Sequence, residues 1–212
     1  MASSTPVFTS GPNKPASLLS IACGAVFMFG ISGSLLAANL PKHFHKNASK
    51  DLGSGLQCVV GTATDEDGMN GRAYVYIEDT RTHTIRWTVP IPLRKDWYQN
   101  QATHCLGEDQ KVYALVQSDT MSQASLSQTF ISVVTLNRTS GHIDSVSPVK
   151  VPNVHGAISA WVDQDSGHFE QVDGKIVVSG EYLLTNNRDD IRPFTASPQE
   201  PSGNGASTTK EK

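Results

Sequence analysis

The stretch from Thr103 to Asn153 constrains the fold most. It opens Thr-His-Cys-Leu, passes a polar turn at Gly107-Glu108-Asp109-Gln110, and continues as Lys111-Val-Tyr-Ala-Leu-Val-Gln117. After a loop of Ser, Gln and Thr it resumes as Phe130-Ile-Ser-Val-Val-Thr-Leu136, turns at Asn137-Arg-Thr-Ser-Gly141 and leaves through His142-Ile143. Short runs of branched and aromatic residues bounded by turn residues read as strand, turn, strand, turn, strand.

The flanking sequence follows the same grammar. Leu56 to Thr64 is a strand candidate, and Asn70-Gly71 supplies the positive φ angles of a tight turn before Ala73 to Ile77. From Thr84 to Ile91 the apolar residues Ile85, Trp87, Val89 and Ile91 alternate with Arg86 and Thr88, the period-2 signature of a half-buried strand. Pro90 lacks a donor, so that strand lies at an edge or ends there. Pro92 to Asn100 is an irregular crossing. Further strands are expected over Ile143 to Val151 (weakened by Pro148), Ala157 to Trp161, His168 to Val172 and Lys175 to Leu184, with a tight turn at Asp173-Gly174. No amphipathic helix interrupts the pattern. About nine short strands define an all-β fold over residues 51–185, a single antiparallel domain built as propeller-like sheets, a sandwich or a small open barrel.

The ends differ from the middle. Ala16 to Ala38 carries no charge and is long enough as a helix to span a hydrocarbon core of roughly 30 Å. It reads as a retained transmembrane anchor or a signal helix, with length favouring the anchor. Residues 1–15 are expected to be a disordered arm, 39–50 a polar linker and 186–212 a disordered tail. Lysines are more frequent after the span than before it, which by itself places the carboxyl side in the cytoplasm. The short amino-terminal arm and the cysteines point the other way, to a membrane-anchored domain in the periplasm or extracellular space. That exported orientation is taken here.

Three cysteines are present. Cys23 lies in the apolar span, whereas Cys58 and Cys105 each fall on an expected strand. Paired cysteines suit an exported domain, and a Cys58–Cys105 bridge would contribute roughly 3–4 kcal/mol through loop closure. The alternative is two buried thiols acting as small apolar groups.

Two segments resemble each other. Val75-Tyr-Ile77 leads through Thr80-Arg-Thr82 to Ile85 and Trp87, and Val134-Thr-Leu136 leads through Asn137-Arg-Thr-Ser-Gly141 to Ile143. With Val112-Tyr-Ala-Leu115, residues 71–151 resemble quinoprotein-type β-propeller blade repeats, whose inner hairpin runs Tyr-Ala-Leu, a Thr-Gly turn and an apolar return ending in Trp. Blades take about 40–50 residues, so residues 51–185 hold roughly three, too few for a closed propeller. The resemblance implies a sheet stack capped by a partner or by self-association. It carries over no cofactor.

Chemistry is sparse. Net charge is −3 with 17% charged residues, which gives no electrostatic footprint for nucleic acid. Asp65-Glu66-Asp67-Gly68-Met69-Asn70 fails the calcium-loop pattern at Met69 and again at Tyr76, so no metal is expected there. His43 and His45 lie in the expected linker. His104 and Cys105 are adjacent on a strand and point to opposite faces, so they make no dyad. His155 and His168 with Asp163 or Asp165 and Ser159 are the only candidates for a dispersed hydrolase or ligand-binding site. No phosphate loop, nucleophile elbow or zinc motif accompanies them. Asn47 and Asn137 begin glycosylation-acceptor triplets. Trp97, Tyr98 and Trp161, with Arg94 nearby, have the profile of a protein-contact surface. The expectation is a non-catalytic module that binds another protein and uses no cofactor.

Overall fold

A computed structural model describes residues 39–123, 127–165 and 167–199. The expected membrane segment, residues 16–38, and the arm before it lie outside them. Among the described residues there are twelve strands and no helix, hence none long and apolar enough to cross a membrane.

The strands form three antiparallel sheets. The first contains β1 (Phe44–Asp51), β2 (Leu56–Ala63), β3 (Arg72–Asp79) and β4 (Thr84–Pro90), each paired with the next. The second repeats that meander with β5 (Gln99–Glu108), β6 (Lys111–Asp119), β7 (Thr129–Asn137) and β8 (Ile143–Pro148). The third has β9 (Ile158–Trp161), β10 (Phe169–Val172), β11 (Lys175–Leu184) and β12 (Asn187–Ala196). There β9 and β10 share one edge of β11 end to end, and β12 takes the other.

Turn chemistry sets the meanders. Asp173 and Gly174, both at positive φ, close the β10–β11 hairpin. Asn137 Oδ1 accepts the N–H groups of Thr139 and Ser140 at the β7–β8 turn. Gly141 there lies at φ 73° under the Trp87 indole, where an added Cβ would come within 2.8 Å of the ring. Trp87 in turn donates from Nε1 to Arg138 O at 2.9 Å, fastening the first sheet to the turn of the second.

The second sheet is buried on both faces, which explains why Lys111 to Gln117 reads as a nearly continuous apolar run. Val112, Ala114 and Val116 face the first sheet with Val134 and Leu136, opposite Val60, Val75 and Ile77. Leu115, Ile131 and Val133 face the third, opposite Val162, Phe169, Val178 and Phe194. Cys58 and Cys105 meet in the first core at disulfide distance, Cα to Cα 6.5 Å, tying β2 to β5.

Buried amides stitch the layers and leave few polar groups unmet. Gln117 pairs with the Val162 backbone through both amide atoms, at 2.9 and 3.0 Å, as a strand neighbour would. Asn100 accepts from Ala73 N–H and donates to Ile91 O. Asn47 donates to Thr62 Oγ1 and Ala102 O, so its side chain is engaged between the first two sheets.

Two stretches expected to be irregular are strands. The polar linker 39–50 contains most of β1, whose Phe44 packs edge-on against Tyr74 and Tyr76 while Ala48 joins the core. The expected tail 186–212 begins with β12, which buries Phe194 in the second core and carries the chain on to a bridge between Val149 and Pro198. Both are edge strands with exposed outer residues, so their sequences are polar and break the alternation that marks inner strands. Pro193 and the lysines of β1 also suit an edge.

Candidate functional site

The crossing from β4 to β5 is anchored by a turn in which Trp97 N–H donates to Arg94 O at 3.1 Å, with Asp96 at φ 70°. This turn lays Trp97 over the start of β7. Its indole stacks on Phe130 with centroids 5.1 Å apart and planes at 21°. The Arg94 guanidinium sits 5.4 Å above the same indole, within cation–π range.

Phe130 and Ser132 lie on the face of β7 that buries Val134 and Leu136 further along, by strand alternation. At the Phe130 end that face stays open. Phe130 is 36% and Val146 50% exposed, large values for apolar side chains in an ordered sheet. Together with Pro92, Arg94, Trp97, Pro148, Val149, Val151, Val154 and Ile158 they line a groove of about 470 Å³ around the end of the second sheet. Among the described residues Arg94 and Lys150 are its only charged lining residues, and both are exposed.

Arg94 and Trp97, two of the residues singled out from sequence, therefore meet. Tyr98 points elsewhere, into an adjoining depression with Gln99, Asp119 and Met121, where its hydroxyl is buried without a hydrogen-bond partner. Trp161 lies on the opposite face of β9 from Ile158 and Ala160, by alternation, and is not part of the groove. Phe130, Val146 and Pro148 escape sequence reading because they sit in strands, where apolar residues are expected to be core. The only signal is positional, since Phe130 and Val146 lie near the free end and free edge of a sheet.

A second cleft, of about 550 Å³, runs between β1, β5 and β10. His104 lines it, with Nε2 donating to Asp165 O at 3.1 Å and Nδ1 at 3.0 Å from Thr103 Oγ1, which fixes the Nε2–H tautomer. Burial holds the His104 pKa below the ordinary imidazole value, partly offset by the Asp165 carbonyl. His168 pairs with the Asp165 carboxylate at 3.1 Å. His155 is in the β8–β9 connection beside groove-lining Val154, and Ser159 Oγ accepts from Thr129 N–H. The structure thus joins His168 to Asp165 and adds His104, but places His155 and Ser159 in other surroundings. At the acidic turn, both Asp65 oxygens are engaged within their own loop, by Met69 N–H and the Asn70 amide, each at 2.7 Å.

Comparison with protein-family models, curated proteins and solved structures finds no match for this chain.

Proposed function

We propose that the chain is a membrane-tethered, exported β domain with a non-catalytic role in binding another protein, such as an envelope assembly component or a toxin-immunity protein. One observation carries this reading. The Trp97–Phe130 stack, with Arg94 above it, lines an open apolar groove in the three-sheet body. Aromatic residues and arginine around a water-excluding recess are the usual anchors of protein contacts. The disulfide-distance pair Cys58–Cys105 supports export, since such bridges persist in oxidising compartments. Trp97→Ala with Phe130→Ala in the full chain tests the groove. Partner association is lost in the double variant and kept in a Val172→Ala control, an exposed position on the third sheet. Association unchanged in the double variant refutes this surface.

A second reading concerns self-association. Residues 44–90, 99–148 and 158–196 each build one sheet, a repeat of about 40–50 residues that suits propeller blades. Three such sheets leave two end faces, and a second copy stacked on them would complete a six-sheet ring. Mass in mild detergent distinguishes a monomer from that dimer.

A further inference from the structure

The groove borders a sheet edge. Among the described residues, β8 pairs with β7 on one side, and no strand pairs with Ile143 to Ser147 on the other. Immediately past β8 the chain itself uses this edge. Pro198 bridges Val149 in antiparallel sense and Gln199 N–H donates to Pro148 O at 2.9 Å. The edge therefore accepts an extended antiparallel backbone, and Val146, whose side chain lines the groove, lies within the portion left open. An unpaired edge presents alternate N–H and C=O groups, which an added strand satisfies more fully than an acyl chain could.

Charge narrows the occupant further. Among the described residues Arg94 and Lys150 line the groove and no carboxylate does. Asp96, two residues from Arg94, lines a separate depression with Thr120 and Ser122. A basic segment would meet two like charges, whereas an acidic one would be paired by them. The chain beyond Gln199 begins Glu-Pro-Ser-Gly-Asn-Gly and supplies no large aliphatic or aromatic side chain to fill an apolar recess.

Resting on the reading of the groove as a partner surface, we propose that it takes an extended, acidic peptide segment of a partner protein. The segment adds to the free edge of β8, lays alternate apolar side chains against Trp97, Phe130 and Val146, and sets its carboxylates against Arg94 and Lys150.

The test uses the full chain in detergent micelles and a fluorescein-labelled, capped peptide alternating valine with glutamate. Fluorescence anisotropy should show saturable binding, weakened by about tenfold or more when lysine replaces glutamate in the peptide. Arg94→Glu with Lys150→Glu should reverse that preference, a readout that misfolding would not produce. N-methylation of alternate peptide amides should cost about tenfold by blocking edge pairing. Equal binding of the acidic and basic peptides overturns the charge assignment, and equal binding of the N-methylated peptide overturns strand addition. Binding only to a chain ending at Gln199 assigns the groove to the carboxyl-terminal segment and overturns the proposal. If no peptide binds, the acidic-strand occupant is wrong. The groove itself is rejected separately, if Trp97→Ala with Phe130→Ala leaves partner association intact.

Discussion

Trp97 rests on Phe130, more than thirty positions further along the chain, ring upon ring at 5.1 Å at the start of β7. Both rings remain partly open to solvent. Their contact therefore lies at the surface rather than in either core. Trp97→Ala and Phe130→Ala should each lower the thermal midpoint by only a few degrees, with a coupling of about 0.5–1.5 kcal/mol in a double-mutant cycle measured by urea unfolding. A loss of about 4 kcal/mol from either change would instead mark the pair as core.

The Cys58–Cys105 pair joins positions 47 apart in sequence and spans the first two sheets. Cross-linking a loop of that size contributes about 4 kcal/mol in the chain-entropy model. Replacing both cysteines by alanine should lower the midpoint by roughly 10 °C or more, given a few degrees per kcal/mol at this size. Equal midpoints with and without reductant in the unaltered chain would mean that the bridge does not form.

Asp79 is buried and accepts from Arg86 at 2.7 Å and from Arg81 N–H at 3.1 Å. The Arg86 guanidinium, then the Arg81 backbone, hold its carboxyl well below the usual range. Because the folded pKa is depressed, its contribution is complete above the unfolded value of about 4 and is lost as pH falls toward the folded one. Thermal stability should drop on acidification below about pH 4, and Asp79→Asn should be less stable at neutral pH with a shallower acid slope. An unchanged slope would remove Asp79 from the account.

Gly61 pairs with Lys46 and lies beneath Phe44. A Cβ there would come within 2.2 Å of His45 O and 2.4 Å of the Phe44 ring, and the backbone contact cannot be relieved by a rotamer change. Gly61→Ala should therefore destabilise by about 1–3 kcal/mol and loosen β1, seen as faster amide exchange over residues 44–51. Unaltered exchange there would show that β1 adapts freely.

β12 closes the third sheet and buries Phe194. Phe194→Ala should cost about 3 kcal/mol, and a chain ending at residue 185 should lose cooperative unfolding of the third sheet. A truncated chain as stable as the full one would restore the sequence-based view of this region as a tail.

Strands with a buried apolar face were legible because their residues alternate or run apolar in proportion to the faces they bury. The two-sided burial of β6 shows in Val112-Tyr-Ala-Leu-Val116, and the one-sided burial of the β4 stretch in Trp87, Val89 and Ile91. A register shift between Ile77 and Glu78 sets Ile85 apart from those three, which the alternation alone does not reveal. The two polar edge strands, β1 and β12, were not legible. β1 and β12 make their main energetic contribution through one or two side chains, Phe44 with Ala48 and Phe194, too few to set a period. The groove was half legible for a related reason. Arg94 and Trp97 stand in a loop, where large side chains demand explanation, whereas Phe130 and Val146 stand in strands, where they do not. Trp161 is grouped with them because it ends an expected strand beside a loop, and which face of β9 meets the groove is set by how the third sheet packs, which the sequence does not specify.

The most direct test places p-benzoylphenylalanine at Val146, on the groove, and separately at Val172, an exposed apolar position on the third sheet, in the full chain expressed in its source cells. Irradiation should yield a discrete adduct with another polypeptide from the Val146 position and none from Val172, and Trp97→Ala should abolish it. No adduct at Val146, or the same adducts from both positions, would contradict the assignment of this groove as the binding surface.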